Sequence, residues 1–158
     1  YNMDNRYNTL KNKKDFETFV SEIPKYLKEL ASTNKYEKLI FSEDEVRNIS
    51  KYFIDLYCNN HFDVTEKLRF IAYLGEFLIH NFGGEWFYTG SKDAFTPNEA
   101  YIGKSDAIVL RECPIDSVYE ILENKNPNYY YDKLIQNKEK KSEIDDVFSK
   151  LFPKRKKK

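Results

Sequence analysis

The sequence predicts an α+β fold, in a single domain that spans residues 1–158. Helical periodicity runs through the first half of the chain, strand-like runs occupy the middle, and helical periodicity returns before the C-terminus. A glycine pair, Gly83-Gly84, separates the first helices from the strands, because glycine accepts the positive φ at which helices commonly end. We therefore expect N-terminal helices, a small antiparallel sheet of two or three strands, and C-terminal helices.

The first helical segment has one apolar face and contains a proline. Asp15 can cap its start. Apolar side chains recur at spacings of three and four along the face: Phe16, Phe19, Val20, Ile23, Leu27 and Leu30. Pro24 lacks the N–H that a helix interior needs, so we expect a kink or two short helices, with Pro24 in the first turn of the second.

The second helical segment begins with a capping box, in which Ser42 is followed three residues later by Glu45. Its apolar face consists of Val46, Ile49, Phe53, Leu56 and Tyr57. The polar run 59–61 is expected to end this helix.

The third helical segment is rich in apolar residues on every side. Asp63 or Thr65 can cap its start. One face consists of Leu68, Ile71, Ala72, Gly75, Leu78, Ile79 and Phe82, and the other sides carry Phe70, Tyr73, Leu74 and Phe77. We therefore expect a central helix that is buried nearly all round. Gly75 costs about 1 kcal/mol relative to alanine in a helix interior, which suggests that another backbone approaches closely there.

Strand-like runs follow the glycine pair. Glu85–Thr89 has the aromatic and β-branched content of a strand, and residues 100–102 and 107–110 form two further runs. The loop 90–98 would join the first two strands. A single bent hairpin with Gly103 at a bulge is the alternative to three strands.

Helical periodicity returns after Cys113-Pro114. The next helix would bury Val118, Ile121 and Leu122, and the stretch 124–128, which contains Pro127, would end it. The last helical region carries the apolar residues Tyr131, Leu134, Ile135, Ile144, Val147, Phe148 and Leu151. The polar, lysine-rich stretch 136–141 is expected to loosen it.

Composition excludes several classes of protein. The 26 basic and 26 acidic residues balance, so no overall charge steers the chain to nucleic acid or to an acidic membrane. No apolar run is long enough to span a membrane and the N-terminus does not resemble a signal peptide. Cys58 and Cys113 fit a reducing cytoplasm better than a disulfide, so we expect a cytoplasmic protein.

Tests for catalytic and cofactor motifs are negative. Gly103-Lys104-Ser105 resembles the end of a phosphate-binding loop, but Asn98 stands where that motif needs its first glycine. The only two histidines, His61 and His80, have no metal-ligand spacing, and no carboxylate pair stands out as an acid–base couple. The sequence therefore predicts no cofactor, no metal site and no catalytic residue, and favours a protein that is not an enzyme.

One polar constellation remains on the third helix. Arg69, Tyr73, Glu76 and His80 fall at spacings of four, three and four, which places them on one stripe. The stripe can bind a polar ligand or partner, with Glu76 accepting a hydrogen bond from Arg69, Tyr73 or His80. The favoured interpretation is structural, because a buried carboxylate must be paired. Trp86 is likewise expected in the core, between the sheet and this helix, rather than in a ligand platform.

The C-terminal stretch 153–158 contains five consecutive basic residues. It resembles a nuclear-localisation or nucleic-acid-binding tail. The rest of the chain shows no basic face, so we expect a solvated, disordered end and no nucleic-acid partner. A nucleic-acid-binding adaptor that uses this tail is kept as an alternative.

The sequence Leu74-Gly75-Glu76, followed after six residues by Gly83-Gly84-Glu85-Trp86, carries a resemblance. A Leu-Gly-Glu helix followed by Gly-Gly-x-Trp resembles a pattern in small bacterial cytosolic proteins, some of which look like immunity proteins encoded beside toxins. The likeness covers residues 68–109 and transfers no catalytic residue. It implies a protein whose partner is another protein, such as a toxin encoded by an adjacent gene.

These observations together predict a non-catalytic bacterial interaction protein. Its expected binding surface is acidic: Glu43, Asp44 and Glu45 at one helix start, with Asp145 and Asp146 near the C-terminus. Such a surface would attract a basic toxin, with binding that weakens as salt increases. A small enzyme that uses the Glu76 stripe and the loop 90–98 is the second alternative.

Overall fold

The computed structural model describes residues 9–89, 99–103 and 112–151. Within these residues the α+β prediction is confirmed: along the chain, helices precede and follow a two-stranded antiparallel sheet. The elements are α1 Lys13–Thr33, α2 Glu43–Cys58, α3 Val64–Phe82, β1 Glu85–Thr89, β2 Glu99–Gly103, α4 Pro114–Asn124 and α5 Tyr129–Leu151. The predicted loop 90–98, the predicted strand 107–110 and the basic tail 153–158 lie outside the described residues.

Helix α1 differs from its prediction in two respects. Its N-cap is Asn12, whose side chain accepts a hydrogen bond from the Asp15 N–H at 2.9 Å, so Asp15 lies in the first turn and does not cap the helix. The helix also continues through Pro24, and the predicted division into two short helices is wrong. Pro24 is exposed, whereas Ile23 and Tyr26 are buried, so packing of the inner face favours one continuous helix.

The predicted ends of α2 and α3 are confirmed. Ser42 caps α2 by accepting from the Glu45 N–H at 3.2 Å, and Asp63 caps α3 by accepting from the Glu66 N–H at 2.9 Å. Gly83 and Gly84 follow α3 with φ values of 80° and 111°, which are strained for any residue with a side chain. Local chemistry was sufficient to locate these boundaries because each cap is made by groups no more than four residues apart.

Helix α3 lies at the centre of the core and packs against α1, α2, α4 and the sheet. Its middle is buried on all sides, as predicted: Phe70, Ile71, Ala72, Tyr73, Leu74, Gly75, Phe77 and Leu78. The Phe53 ring of α2 stacks on Phe70, with centroids 4.2 Å apart. Such stacking adds to the free energy of apolar burial.

The sheet pairs β1 with β2 in antiparallel register, with Trp86 opposite Ile102. On its other side Ile102 makes an antiparallel bridge to Glu112, through backbone hydrogen bonds of 2.8 and 2.9 Å. The chain therefore returns along β2 just before α4 begins. Gly103 is the last residue of β2, and the following residues of the motif that resembles a phosphate-binding loop, 104 and 105, lie outside the described residues.

The two C-terminal helices complete the core. Helix α4 begins at Pro114 and buries Val118, Ile121 and Leu122, as predicted. Helix α5 continues through the polar stretch 136–141, so the predicted loosening is not found in the backbone. Cys58 and Cys113 are not joined by a disulfide bond.

Candidate functional site

Arg69 is bound by carboxylates other than Glu76. Its guanidinium makes ion pairs with Glu66, one turn earlier on α3, and with Glu29 on α1. The Arg69 side chain is only 20% exposed, so its charge joins the two helices from a mostly buried position. Through these ion pairs, Arg69 connects α3 to α1.

Tyr73 and Glu45 form the most buried polar contact of the predicted site. The Tyr73 hydroxyl donates to Glu45 Oε1 at 2.8 Å, and the same carboxylate accepts from the backbone N–H groups of Ile40 and Phe41 at 2.7 and 2.8 Å. Tyr73 is 0% and Glu45 2% exposed. Burial, together with the negative charge of Glu45, raises the pKa of Tyr73 far above its usual range.

Glu45 therefore cannot belong to an exposed acidic surface, and that prediction is wrong. The capping-box pattern correctly located the helix start, but the carboxylate turns inward to the connection between α1 and α2. Glu43 and Asp44 are exposed. Glu43 binds Arg47, which also binds Asp132 of α5 at 2.9 Å. Only two of the three predicted residues thus face solvent.

The other predicted acidic residues, Asp145 and Asp146, lie on α5 in a stretch whose side chains are outside the described part of the structure. They remain predictions.

Glu76 is bound to Trp86. Its Oε1 accepts from the indole Nε1 at 3.2 Å, and the indole edge lies directly over Gly75. The Trp86 ring also meets Phe19 of α1 edge-on, with centroids 5.3 Å apart. Trp86 is half-buried between the strand and two helices, close to its predicted place. The partner of Gly75 is thus a side chain, where another backbone was expected.

His80 is exposed at the end of α3, and its ring lies against Phe41 with centroids 5.2 Å apart. The four residues of the stripe therefore share a helix but not a site. Arg69, Tyr73 and Glu76 each bind different protein groups, and His80 lies beside an aromatic ring.

Sequence analysis missed a second buried carboxylate, Glu99 in β2, which is 1% exposed. It accepts from the Thr9 N–H at 2.8 Å, across 90 residues of sequence. Burial raises the pKa of Glu99 to about 7, although the Thr9 hydrogen bond and the charge of Lys67 oppose the shift. Lys67 is itself buried, with its ammonium 5.3 Å from the centre of the Tyr119 ring.

Glu99 has the pKa of a general base but the contacts of a structural group. Its carboxylate holds the chain before α1 against the sheet, where Tyr88 also donates to the Leu10 carbonyl at 3.3 Å. No local signal in the sequence points to it, because its partner is at the other end of the domain.

An open groove lies between the C-terminal half of α1 and the connection to α2. Its volume is about 580 Å³. The lining is mainly apolar and comprises Pro24, Leu27, Lys28, Ala31, Ser32, Tyr36, Glu37, Lys38, Leu39 and Phe41. Ile40, between the last two of these, is 61% exposed. This groove, named here the α1 groove, is a surface on which apolar side chains could be buried.

Metal and membrane signatures were sought in residues 9–89, 99–103 and 112–151. No group of three or more His, Cys, Asp or Glu side chains there could hold a metal ion. No helix in the same residues is long and apolar enough to cross a membrane.

Comparisons of the chain with protein-family models, with curated proteins and with solved structures found no match.

Proposed function

We propose that this chain is a non-catalytic protein that acts by binding another protein through the α1 groove. The observation that carries the proposal is the apolar lining of that groove beside the exposed Ile40. Contiguous apolar surface of this kind is typical of protein-binding sites, because burying it releases free energy on association.

Charge around the α1 groove defines the chemistry of the partner. Lys28 and Lys38 line the groove together with a single acidic residue, Glu37. Lys25 and Lys35 are exposed on the same stretch of chain. Residues 25–38 thus contain four lysines against two glutamates, and one of these, Glu29, is paired with Arg69. This excess of positive charge favours a partner segment that presents apolar side chains flanked by Asp or Glu. The α1 groove thus favours an acidic partner surface. The acidic residues Glu43, Asp44 and Glu45 had instead predicted a basic one.

The contacts of the predicted stripe support a role without catalysis. Arg69, Tyr73 and Glu76 make hydrogen bonds or ion pairs with Glu29 and Glu66, with Glu45 and with Trp86, respectively. A catalytic group must instead reach the reacting atoms of a substrate. The enzyme alternative would have to use other residues.

The resemblance of the Leu-Gly-Glu and Gly-Gly-x-Trp pattern supports a narrower proposal. It favours a cytoplasmic bacterial immunity protein that neutralises a toxin encoded by an adjacent gene. An immunity protein needs a complementary surface and no reaction of its own, in agreement with the α1 groove.

The experiment is co-expression of the chain with the product of the adjacent gene, followed by calorimetric measurement of affinity. Ile40→Ser should weaken binding by roughly tenfold, as for an apolar anchor at an interface. Val64→Ser is the matched control, because Val64 is 67% exposed at the start of α3 and lies outside the groove. The double variant Lys28→Glu/Lys38→Glu should also bind more weakly than the parent chain. This loss of affinity should be larger at low salt than at high salt, because salt screens exposed charges.

Failure to form a complex with the adjacent gene product would contradict the immunity proposal. Equal losses for Ile40→Ser and Val64→Ser would contradict the assignment of the α1 groove as the binding surface.

A further inference from the structure

The backbone of both walls of the α1 groove is largely occupied by bonds inside the domain. One wall is the C-terminal half of α1, whose N–H groups bond within the helix. The other wall is the connection between α1 and α2, residues 34–42. Five N–H groups of this connection donate to the end of α1 or to the Glu45 carboxylate: those of Asn34, Lys35, Tyr36, Ile40 and Phe41.

The connection is also not extended. Lys35 and Phe41 have φ values of 61° and 57°, in the left-handed region, and the chain bends at residues 37 and 38 between them. A strand that pairs with a partner must be extended, so that the N–H and C=O groups of alternate residues point to one side. A partner strand therefore finds no regular edge along residues 34–41.

This backbone arrangement restricts the conformation of any segment that enters the groove. Backbone N–H and C=O groups that lose water against an apolar surface need other hydrogen-bond partners. An α-helix bonds these groups within itself, whereas a strand or a polyproline helix has no internal hydrogen bonds. Because the walls offer few free backbone groups, a helix can bury an apolar face here at the lowest cost.

The length and the charge of the groove fit a short helix. From Pro24 to Ser32 the α1 wall rises about 12 Å, which equals about two helical turns. Lys28 belongs to the α1 wall and Lys38 to the opposite wall, and both side chains are exposed. Positive charge is thus available on each side of the apolar lining.

We propose that the α1 groove binds an amphipathic α-helix of the partner, with an apolar stripe that carries carboxylates along both edges. This inference rests on the proposed function, because it specifies the segment that a partner protein would insert. Apolar residues at positions i, i+4 and i+7 of that helix would cover the two turns of the groove. Asp or Glu beside this stripe would lie near Lys28 and Lys38.

The test uses three synthetic peptides of about 18 residues, long enough to form a helix alone. The first has leucines at helical spacing, with glutamates along both edges of the stripe and alanines elsewhere. The second has the same composition with leucine at every second position, which is the pattern of a strand. The third is the first with lysine in place of each glutamate.

Calorimetry should show that the parent chain binds the first peptide at least about tenfold more tightly than the other two. NMR should show that this peptide shifts the amide resonances of Ala31, Leu39 and Phe41, which line the groove. Ile40→Ser should weaken its binding about tenfold. Val64→Ser is the matched control, since Val64 is exposed outside the groove.

The double variant Lys28→Glu/Lys38→Glu should reverse the order of the peptides and bind the lysine peptide more tightly than the glutamate peptide. Both positions are exposed, so the melting temperature should stay at that of the parent chain. A reversal of this kind assigns the preference to these two charges, because unspecific apolar adsorption would not respond to them.

Three results would overturn the proposal: binding of the strand-pattern peptide as tight as that of the first, no binding of any peptide to the parent chain, or an unchanged order in the double variant. The proposed function can fail separately. An adjacent gene product that binds the α1 groove while the first peptide does not would remove only the helix. A first peptide that binds while the adjacent gene product does not would contradict only the immunity proposal.

Discussion

The Trp86 indole packs against two consecutive residues of α3, Gly75 and Glu76. The indole lies over the glycine, and its N–H donates to the carboxylate of the next residue along α3. A glycine inside a helix normally weakens it, but here the missing side chain provides the space that the ring occupies.

Gly75→Ala is therefore expected to destabilise the protein despite the better helix propensity of alanine. An added Cβ would overlap Cη2 and Cζ2 of Trp86. We expect a loss of about 1–3 kcal/mol in the free energy of unfolding, the usual effect of overpacking a core. Urea denaturation followed by tryptophan fluorescence measures it. An increase in stability would mean that the indole does not lie on Gly75.

For single residues, the sequence predicted the position along a helix better than it predicted the bonding partner. The spacing of Arg69, Tyr73 and Glu76 correctly placed them along one helix. However, Arg69 and Tyr73 bind other carboxylates and not that of Glu76. Glu29 lies 40 residues from Arg69 and Glu45 lies 28 residues from Tyr73. Periodicity describes one helix face at a time, so it contains no information on which distant side chain meets that face.

At the scale of elements, Glu45 holds together the connection between α1 and α2. Its carboxylate accepts from two backbone N–H groups of that connection and from the Tyr73 hydroxyl of α3. Phe41, one of the two backbone donors, has a φ of 57°. A residue with a side chain adopts that conformation at a cost, so bonds that hold it there are needed.

Glu45→Ala should lower the free energy of unfolding by at least about 3 kcal/mol, because each buried donor left without an acceptor costs about 1–3 kcal/mol. The neighbouring Asp44→Ala is the matched control. Asp44 is exposed, so its loss should cost less than about 1 kcal/mol through the helix dipole. Chemical denaturation of both variants measures the difference. Similar losses would show that Glu45 acts only as a residue of the first helical turn.

Element boundaries were predictable where the determining groups are neighbours. Ser42, Asp63 and the pair Gly83-Gly84 act within their own turn, and all three predictions were confirmed. The division of α1 at Pro24 was wrongly predicted because propensity favours a break, whereas the buried face of α1 continues on both sides of this residue. Tertiary packing decided that case and could not be seen in the local sequence.

At the scale of the whole molecule, Glu99 joins the chain before α1 to the sheet. The carboxylate is buried beside the buried Lys67, and Asp116 contributes a charge of the same sign as its own. Burial raises the pKa of Glu99 in the folded protein to about 7, above the usual value of 4.5 for a glutamate. The native state therefore binds more protons than the unfolded state between these two values, and stability falls as pH rises through this window.

Glu99→Gln should remove that dependence. We expect ionisation of Glu99 to lower the free energy of unfolding of the parent chain by about 3 kcal/mol between pH 4.5 and pH 8, taking about 1.4 kcal/mol for each pKa unit. Glutamine carries no charge and still offers an oxygen to the Thr9 N–H, so the variant should gain stability above pH 7. Urea denaturation across this range measures both chains, with exposed Glu85→Gln as control. An unchanged slope in Glu99→Gln would mean that another group binds the proton.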